Sequence, residues 1–247
     1  ASRPGRNLYT DSLVKLDAAT GKIDWYYQVT PHALCNCDLQ GPPLLVEAGG
    51  RNLVVATGKA GIVVAVDRET GKLVWKRPVG RHNGHDQDGL QAMRGDFSNL
   101  AVPLKVYPGA TGGVPSPVST DGERIYVPVV NSPTTLVSQE RGASSPPFTG
   151  ELVALDAASG AVDWTHYFSS GAMGATSAVN DLVFATELTG RVFALSGKSG
   201  AVAWESTLPA GTVAGLAFSD DMMIAPAGNT VPGSGSLPEV VAYKLQG

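Results

Sequence analysis

Charge is scarce in this chain. Only 16% of its 247 residues are Asp, Glu, Lys or Arg, and 18 basic against 22 acidic side chains leave a net charge of -4. There is no basic excess and no Lys/Arg run, which excludes a phosphate-tracking stripe and nucleic acid as the partner. No apolar stretch approaches the roughly 20 residues of a membrane span. The first residues lack the apolar core of a secretory signal, so such a segment was either never there or has been removed. Cysteine is nearly absent too: Cys35 and Cys37 form one Cys-x-Cys. Two cysteines cannot staple a fold of this size, so a hydrophobic core must stabilise it. In a strand the two thiols share a face. They could close a small strained disulfide, hold a soft metal, or simply pack as small apolar residues, which is the plainer expectation. Two thiolates leave a zinc site two ligands short, and His32 sits at unconvincing spacing.

Apolar residues, glycine and proline are what the chain has in quantity. Hydrophobic residues are 43% of it, with 30 Gly and 17 Pro spread without a strict period. Many short strands joined by tight turns fit this composition.

All four tryptophans fall at one place in one repeat. Asp17, Thr20, Gly21 and Trp25 open the series. Asp67, Thr70, Gly71 and Trp75 repeat it, as do Asp156, Ser159, Gly160 and Trp164. Ser196, Ser199, Gly200 and Trp204 vary only the first residue. An apolar strand precedes each Asp. The carboxylate can accept backbone N–H groups across the turn, Gly can take positive φ, and the returning strand carries the Trp. Each copy is a β-hairpin, and each Trp needs a neighbouring unit to cover it.

Two further strands precede each later hairpin: 43–46 and 52–56, 114–118 and 124–130, then 175–179 and 182–186. Four strands per repeat of about 40 to 50 residues is the signature of a β-propeller blade. The expected architecture is all-β, built of four-stranded antiparallel blades. Blade hairpins end near residues 28, 79, 168 and 208, an insert spans 81–111, and a last partial blade spans 211–247. The first copy is half a blade and the last three quarters, with expected strands 213–218, 222–226 and 239–245. Raw edges at both ends suggest that a missing N-terminal half, or a second chain, completes the ring.

Several segments resemble the pyrroloquinoline-quinone (PQQ) propeller family, which includes the quinoprotein alcohol dehydrogenases. They are Arg3-Pro4-Gly5 with Asn7-Leu8-Tyr9, then Tyr27-Gln28-Val29-Thr30-Pro31-His32, then Asp38-Leu39-Gln40 with Pro42-Pro43. The resemblance runs along essentially the whole chain and implies an eight-bladed ring, of which four to four and a half blades are here. It also implies an extracytoplasmic location and PQQ held with Ca²⁺ or a lanthanide. Family dehydrogenases follow Thr-Pro-His with Asp-x-Trp-Asp, the second Asp being the base. Here Ala33 stands at the first Asp, Cys35 at the Trp and Asn36 at the base. An amide has no titrating carboxylate to take an alcohol's proton. The resemblance therefore implies a ring without standard alcohol oxidation, or else an active dehydrogenase completed by the missing half.

Asp38 resembles the extra carboxylate that lanthanide-using members add as a metal ligand; it could also be a displaced base or a turn residue. Lys59 falls where the family places a cation against the quinone carbonyls, where it would stabilise the reduced cofactor's oxyanion. Its alternative is a solvated turn lysine. Asn131 matches a family asparagine near the cofactor. In the insert, His82, His85, Asp86 and Asp88 could bind a metal or form an ordinary polar loop. The insert would cap the central channel, and a polar loop at 131–150 would be a mobile rim loop. His166, within a strand, reads as structural.

Overall fold

The computed structural model describes residues 5–34, 37–138, 142–146, 148–228 and 238–244. Along the chain, β1 (Ser12–Leu16) and β2 (Ile23–Gln28) form a hairpin. β3 (Leu44–Ala48), β4 (Arg51–Ala56), β5 (Ile62–Asp67) and β6 (Leu73–Pro78) make a four-stranded antiparallel sheet in sequence order. A short helix, α1 (Asp88–Met93), and β7 (Leu104–Val106) follow within the insert. The next sheet takes β8 (Ser119–Thr120) and β9 (Arg124–Asn131), and, after the hairpin β10 (Thr134–Leu136) and β11 (Gly142–Ser144), β12 (Thr149–Asp156) and β13 (Val162–Phe168). A third four-stranded sheet runs β14 (Ser177–Val179), β15 (Leu182–Thr186), β16 (Arg191–Ser196) and β17 (Val202–Thr207). The last has three strands: β18 (Ala217–Ser219), β19 (Met222–Ala227) and β20 (Glu239–Lys244).

Each apolar cluster lies between consecutive sheets, which makes the sheets blades of a β-propeller. Leu13 meets Val54, Val64 and Val66 between the first two. Val55, Val63 and Ala65 point the other way, onto Val127, Val129 and Val153 of the next blade. Leu152 and Ala154 meet Val183 and Phe193, and Val192 meets Met223 and Ala225. Successive strand residues face opposite sides, so the middle strands are buried on both faces. That is why they read as continuous apolar runs and why the chain carries so little charge.

The four hairpins share one geometry. Asp17, Asp67 and Asp156 each accept, through Oδ1, the backbone N–H of Thr20, Thr70 and Ser159 at 2.7, 2.8 and 2.8 Å. The hydroxyls of the same three residues donate to the same oxygens. These bonds hold the carboxyls of Asp17 and Asp67 below their usual range, the Thr hydroxyl contributing most. Gly21, Gly71, Gly160 and Gly200 sit at φ 68, 67, 68 and 70°.

These glycines also seat the tryptophans. A Cβ on Gly71, Gly160 or Gly200 would lie 2.6, 2.5 or 2.5 Å from the indole of Trp25, Trp75 or Trp164 of the preceding blade. Each indole N–H donates to the carbonyl of the residue after the turn's first: Trp25 to Arg68 at 3.1 Å, Trp75 to Ala157 at 3.0 Å, Trp164 to Gly197 at 2.8 Å. Trp and Gly therefore recur together because each Trp belongs to one blade and its Gly to the next.

Three sequence expectations shift. The strand expected at 114–118 forms only at Ser119–Thr120, because Pro115 and Pro117 have no N–H to donate to a ladder. The strand expected at 213–218 begins at Ala217. The loop expected to be mobile at 131–150 contributes β10 and β11, and β10 pairs with β7 of the insert to make a three-stranded sheet.

Candidate functional site on the upper rim

Antiparallel blades place alternate connections on opposite rims. The Asp-x-x-Thr/Ser-Gly turns occupy one. The other, called upper here, receives residues 29–34, 37–43, 57–61, 79–118, 132–138, 142–146, 169–176, 187–190 and 208–216. Among the described residues, Asp38, Lys59 and Asn131 lie on the upper rim or at its strand ends.

Lys59 and Asp38 are brought together. The Lys59 ammonium lies 2.9 Å from Asp38 Oδ2, and the Lys59 N–H donates to the Asp38 carbonyl at 3.0 Å. Glycines permit this approach: a Cβ on Gly58 would run into the Asp38 carbonyl, and one on Gly113 into that of Lys59. Asn36 lies outside the described residues, as does Cys35. Cys37 is disulfide-bonded, and Cys35 is the only other cysteine in the sequence. The expectation of two small packed residues is thus replaced by the disulfide alternative.

Asn131 is part of a different cluster, deeper in the next blade. Its Oδ1 accepts the Arg81 N–H at 2.8 Å and its Nδ2 donates to Glu151 Oε1 at 2.7 Å. Those bonds tie the start of the insert to β12. His166 stacks among Phe168 and Phe193, with centroids 5.0 and 6.0 Å away. Burial there pulls its pKa down, as expected of a structural ring.

The insert's polar residues divide into two His–carboxylate pairs, and among the described residues no group of three or more metal-ligating side chains forms. His82 Nδ1 lies 2.7 Å from Asp86 Oδ1, and its Nε2 lies 3.1 Å from the Val79 carbonyl. Both partners only accept, which favours the charged ring over the neutral one. Burial lowers its pKa, but Asp86 and the backbone at Val79 and Gly61 raise it further, and the net shift is upward. His85 Nδ1 lies 2.8 Å from Asp88 Oδ2, and Asn99 Nδ2 donates to Asp88 Oδ1 at 2.6 Å. The His85 and Asp88 side chains are 10% and 8% exposed.

α1 begins at Asp88 and packs on the Thr30–His32 segment; a Cβ on Gly89 would strike the His32 carbonyl. Between them lies a cavity of about 120 Å³ lined by Thr30, Ala33, Cys37, Ala60, His85 and Tyr107, among others.

Glu187 escaped the sequence reading. It is fully buried on the upper rim. Its carboxylate accepts from Ser169 Oγ at 3.1 Å, the Ser170 N–H at 3.2 Å and Thr189 Oγ1 at 3.1 Å. The only sequence signal was an acid at a strand end in a chain poor in charge.

Comparison with known proteins agrees with this architecture. Residues 1–88 match the glucose/ethanol/alcohol dehydrogenase β-propeller domain, and residues 148–237 match a PQQ repeat model described as outer membrane protein assembly factor BamB. The quinohemoprotein alcohol dehydrogenase of Comamonas testosteroni is 29% identical over 147 residues, 56% of this chain and 21% of that protein. Its crystal structure superposes with a TM-score of 0.75 at 23% identity, covering 90% of this chain and 39% of that one. A europium-containing methanol dehydrogenase superposes with a TM-score of 0.70 at 17% identity, covering 89% and 45%. The tetrathionate hydrolase of Acidithiobacillus ferrooxidans is 28% identical over 193 residues, 69% of this chain and 34% of that protein. The chain thus spans less than half the length of these relatives. Among the described residues no helix is long and apolar enough to cross a membrane.

Proposed function

Because this chain carries PQQ β-propeller repeats and is homologous to the quinoprotein alcohol dehydrogenases, we propose that it is the C-terminal part of a PQQ-type ring that does not perform standard alcohol oxidation. The observation that carries this reading is the residue at the family's base position, Asn36. An amide there leaves no carboxylate to accept the alcohol proton. Asp38, the next carboxylate along, is taken up in an ion pair with Lys59. The tetrathionate hydrolase relative supports the same view, since it is similar to 69% of this chain and is named for a reaction other than alcohol oxidation.

The described residues do not by themselves fit the cofactor. PQQ is a tricyclic tricarboxylate, and ligands of that class occupy pockets of about 300–1,000 Å³, against the 120 Å³ cavity beside α1. In our reading the Lys59–Asp38 rim is one wall of a quinone site. Lys59 offers a cation to the cofactor oxygens, Asp38 a carboxylate to Ca²⁺ or a lanthanide, and Asn131 fixes the neighbouring loop. The bound quinone would supply a two-electron acceptor. The remaining wall comes from the blades of an N-terminal half or a second chain, in an extracytoplasmic setting.

That missing half has a seat. Gly21 has the same turn and nearly the same φ as its three counterparts, yet no atom of the described residues lies within 4 Å of its Cβ position. By the rule the other three obey, a preceding blade's indole rests there and donates to the Ala18 carbonyl. Leu16 and Ile23 beside it are exposed at 54% and 45%.

The test is reconstitution of the native, complete protein with PQQ and either Ca²⁺ or a lanthanide, followed by desalting and a dye-linked assay with primary alcohols. Cofactor should be retained without alcohol-dependent dye reduction. Robust turnover would overturn the reading in favour of an active dehydrogenase using Asp38.

A further inference from the structure

The chain has one Asn-Gly step, Asn83-Gly84, and it falls at the start of the insert. Both residues are exposed and lie outside regular secondary structure. Gly84 sits at φ 90°, and nothing among the described residues lies within 4 Å of its Cβ position. Its N–H donates to no group among them. Glycine leaves the asparagine open to attack: it carries no side chain to shield the amide carbon, and its backbone is free to turn.

The Asn83 amide meanwhile holds a strand in place. Its Nδ2 donates to the Lys105 carbonyl at 2.6 Å, and its Oδ1 accepts the Tyr107 N–H at 2.8 Å. One side chain thereby closes one edge of β7, whose other edge pairs with β10. This pair of bonds needs an amide, since one end donates and the other accepts. A carboxylate only accepts, so it would set an oxygen against the Lys105 carbonyl. Arg81 and Lys105, whose cations lie 4.7 and 5.5 Å from the Tyr107 ring centroid, would draw that carboxylate away from the strand.

We propose that Asn83-Gly84 is a self-modification site and that its conversion releases β7. The Gly84 nitrogen attacks Asn83 Cγ, the Cγ–Nδ2 bond breaks, and ammonia leaves with the Gly84 proton. Water then opens the cyclic imide at either carbonyl and gives aspartate or isoaspartate. Nothing is oxidised or reduced. The bonds to β7 compete with the attack, because Cγ must turn to the Gly84 nitrogen. Conversion therefore draws on molecules in which β7 has let go, and it removes the donor that would close the contact again. The insert thus carries a one-way release. It is independent of the quinone site, so its failure would leave the proposed function standing.

The experiment holds the complete protein in mildly alkaline buffer made with heavy-oxygen water and follows it by peptide mass mapping, with amide exchange measured on the product. Asn83 should convert ahead of every other asparagine, taking up one heavy oxygen and giving both aspartate and isoaspartate. Amide protection over residues 104–107 should fall about tenfold in the converted protein, the worth of one hydrogen bond. Asn83→Asp, made directly, should show the same loss from the start, which separates the release from the rate of conversion. Gly84→Ala should slow conversion by shielding the amide carbon. Earlier conversion of another asparagine, an Asn83 that stays an amide, undiminished conversion in Gly84→Ala, or full protection over 104–107 in Asn83→Asp would each overturn the proposal.

Discussion

Replacing each tryptophan in turn by alanine should give unequal costs, set by the next blade rather than by the residue. Trp75 is 8% exposed, lies on Gly160 and donates to the Ala157 carbonyl. Truncating a core aromatic costs about 3–5 kcal/mol, and the lost hydrogen bond is worth about 1 kcal/mol; since alanine scans already include such bonds in part, Trp75→Ala should cost about 4 kcal/mol. Trp164 keeps the same two contacts and is half-buried, so about 3 kcal/mol is expected. Trp25 is similar and sits in the two-stranded terminal blade. Trp204 is 39% exposed, with an edge contact to Tyr243 at 5.4 Å between centroids. Its loss should cost about 1 kcal/mol. Urea midpoints at constant m-value give the four numbers. Equal costs for Trp75→Ala and Trp204→Ala would refute the idea that one blade's indole seats on the next blade's turn.

Three other outcomes follow from the same geometry. In this chain without its N-terminal partner, Gly160→Ala should destabilise well beyond Gly21→Ala, because the first drives a methyl into Trp75 while the second meets only positive-φ strain of about 1 kcal/mol; equal urea midpoints would argue against it. The raised His82 pKa favours the charged ring in the fold. Its contribution is fully present below the unfolded value of about 6.5 and is lost as pH rises through the higher folded value; amide protection factors of residues 79–86, corrected for the intrinsic pH dependence of exchange, should therefore fall across that window in wild type but not in His82→Gln. Asn36→Asp in the reconstituted protein should raise dye reduction with alcohols, and no change or a fall would count against the assignment of that position.

The blades were legible because their chemistry is local and repeated. The Asp turn, the positive-φ glycine and the tryptophan are each written within one hairpin, and the long apolar runs at 53–56 and 62–66 announce burial on two faces. What the repeat cannot write is a pairing between segments far apart. β7 and β10 are separated by the whole of β9, so their sheet was invisible in an insert and a loop that each read as irregular. Prolines 115 and 117 sit in a stretch whose valines mimic a strand. For the site, Lys59 and Asp38 were each singled out, but their contact depends on Gly58 letting two backbones touch. His82, His85, Asp86 and Asp88 read as one candidate metal group, and only the fold shows them divided into two His–carboxylate pairs.

Ring completion is the claim on which the functional reading most depends, and intact mass with size-exclusion light scattering of the protein purified from its natural source tests it directly. The account requires a particle about twice the 25.5 kDa of this chain or larger, either as one longer polypeptide or with a second chain of comparable size. A stable, folded particle of 25.5 kDa with Gly21 and the β20 edge open to solvent would contradict it.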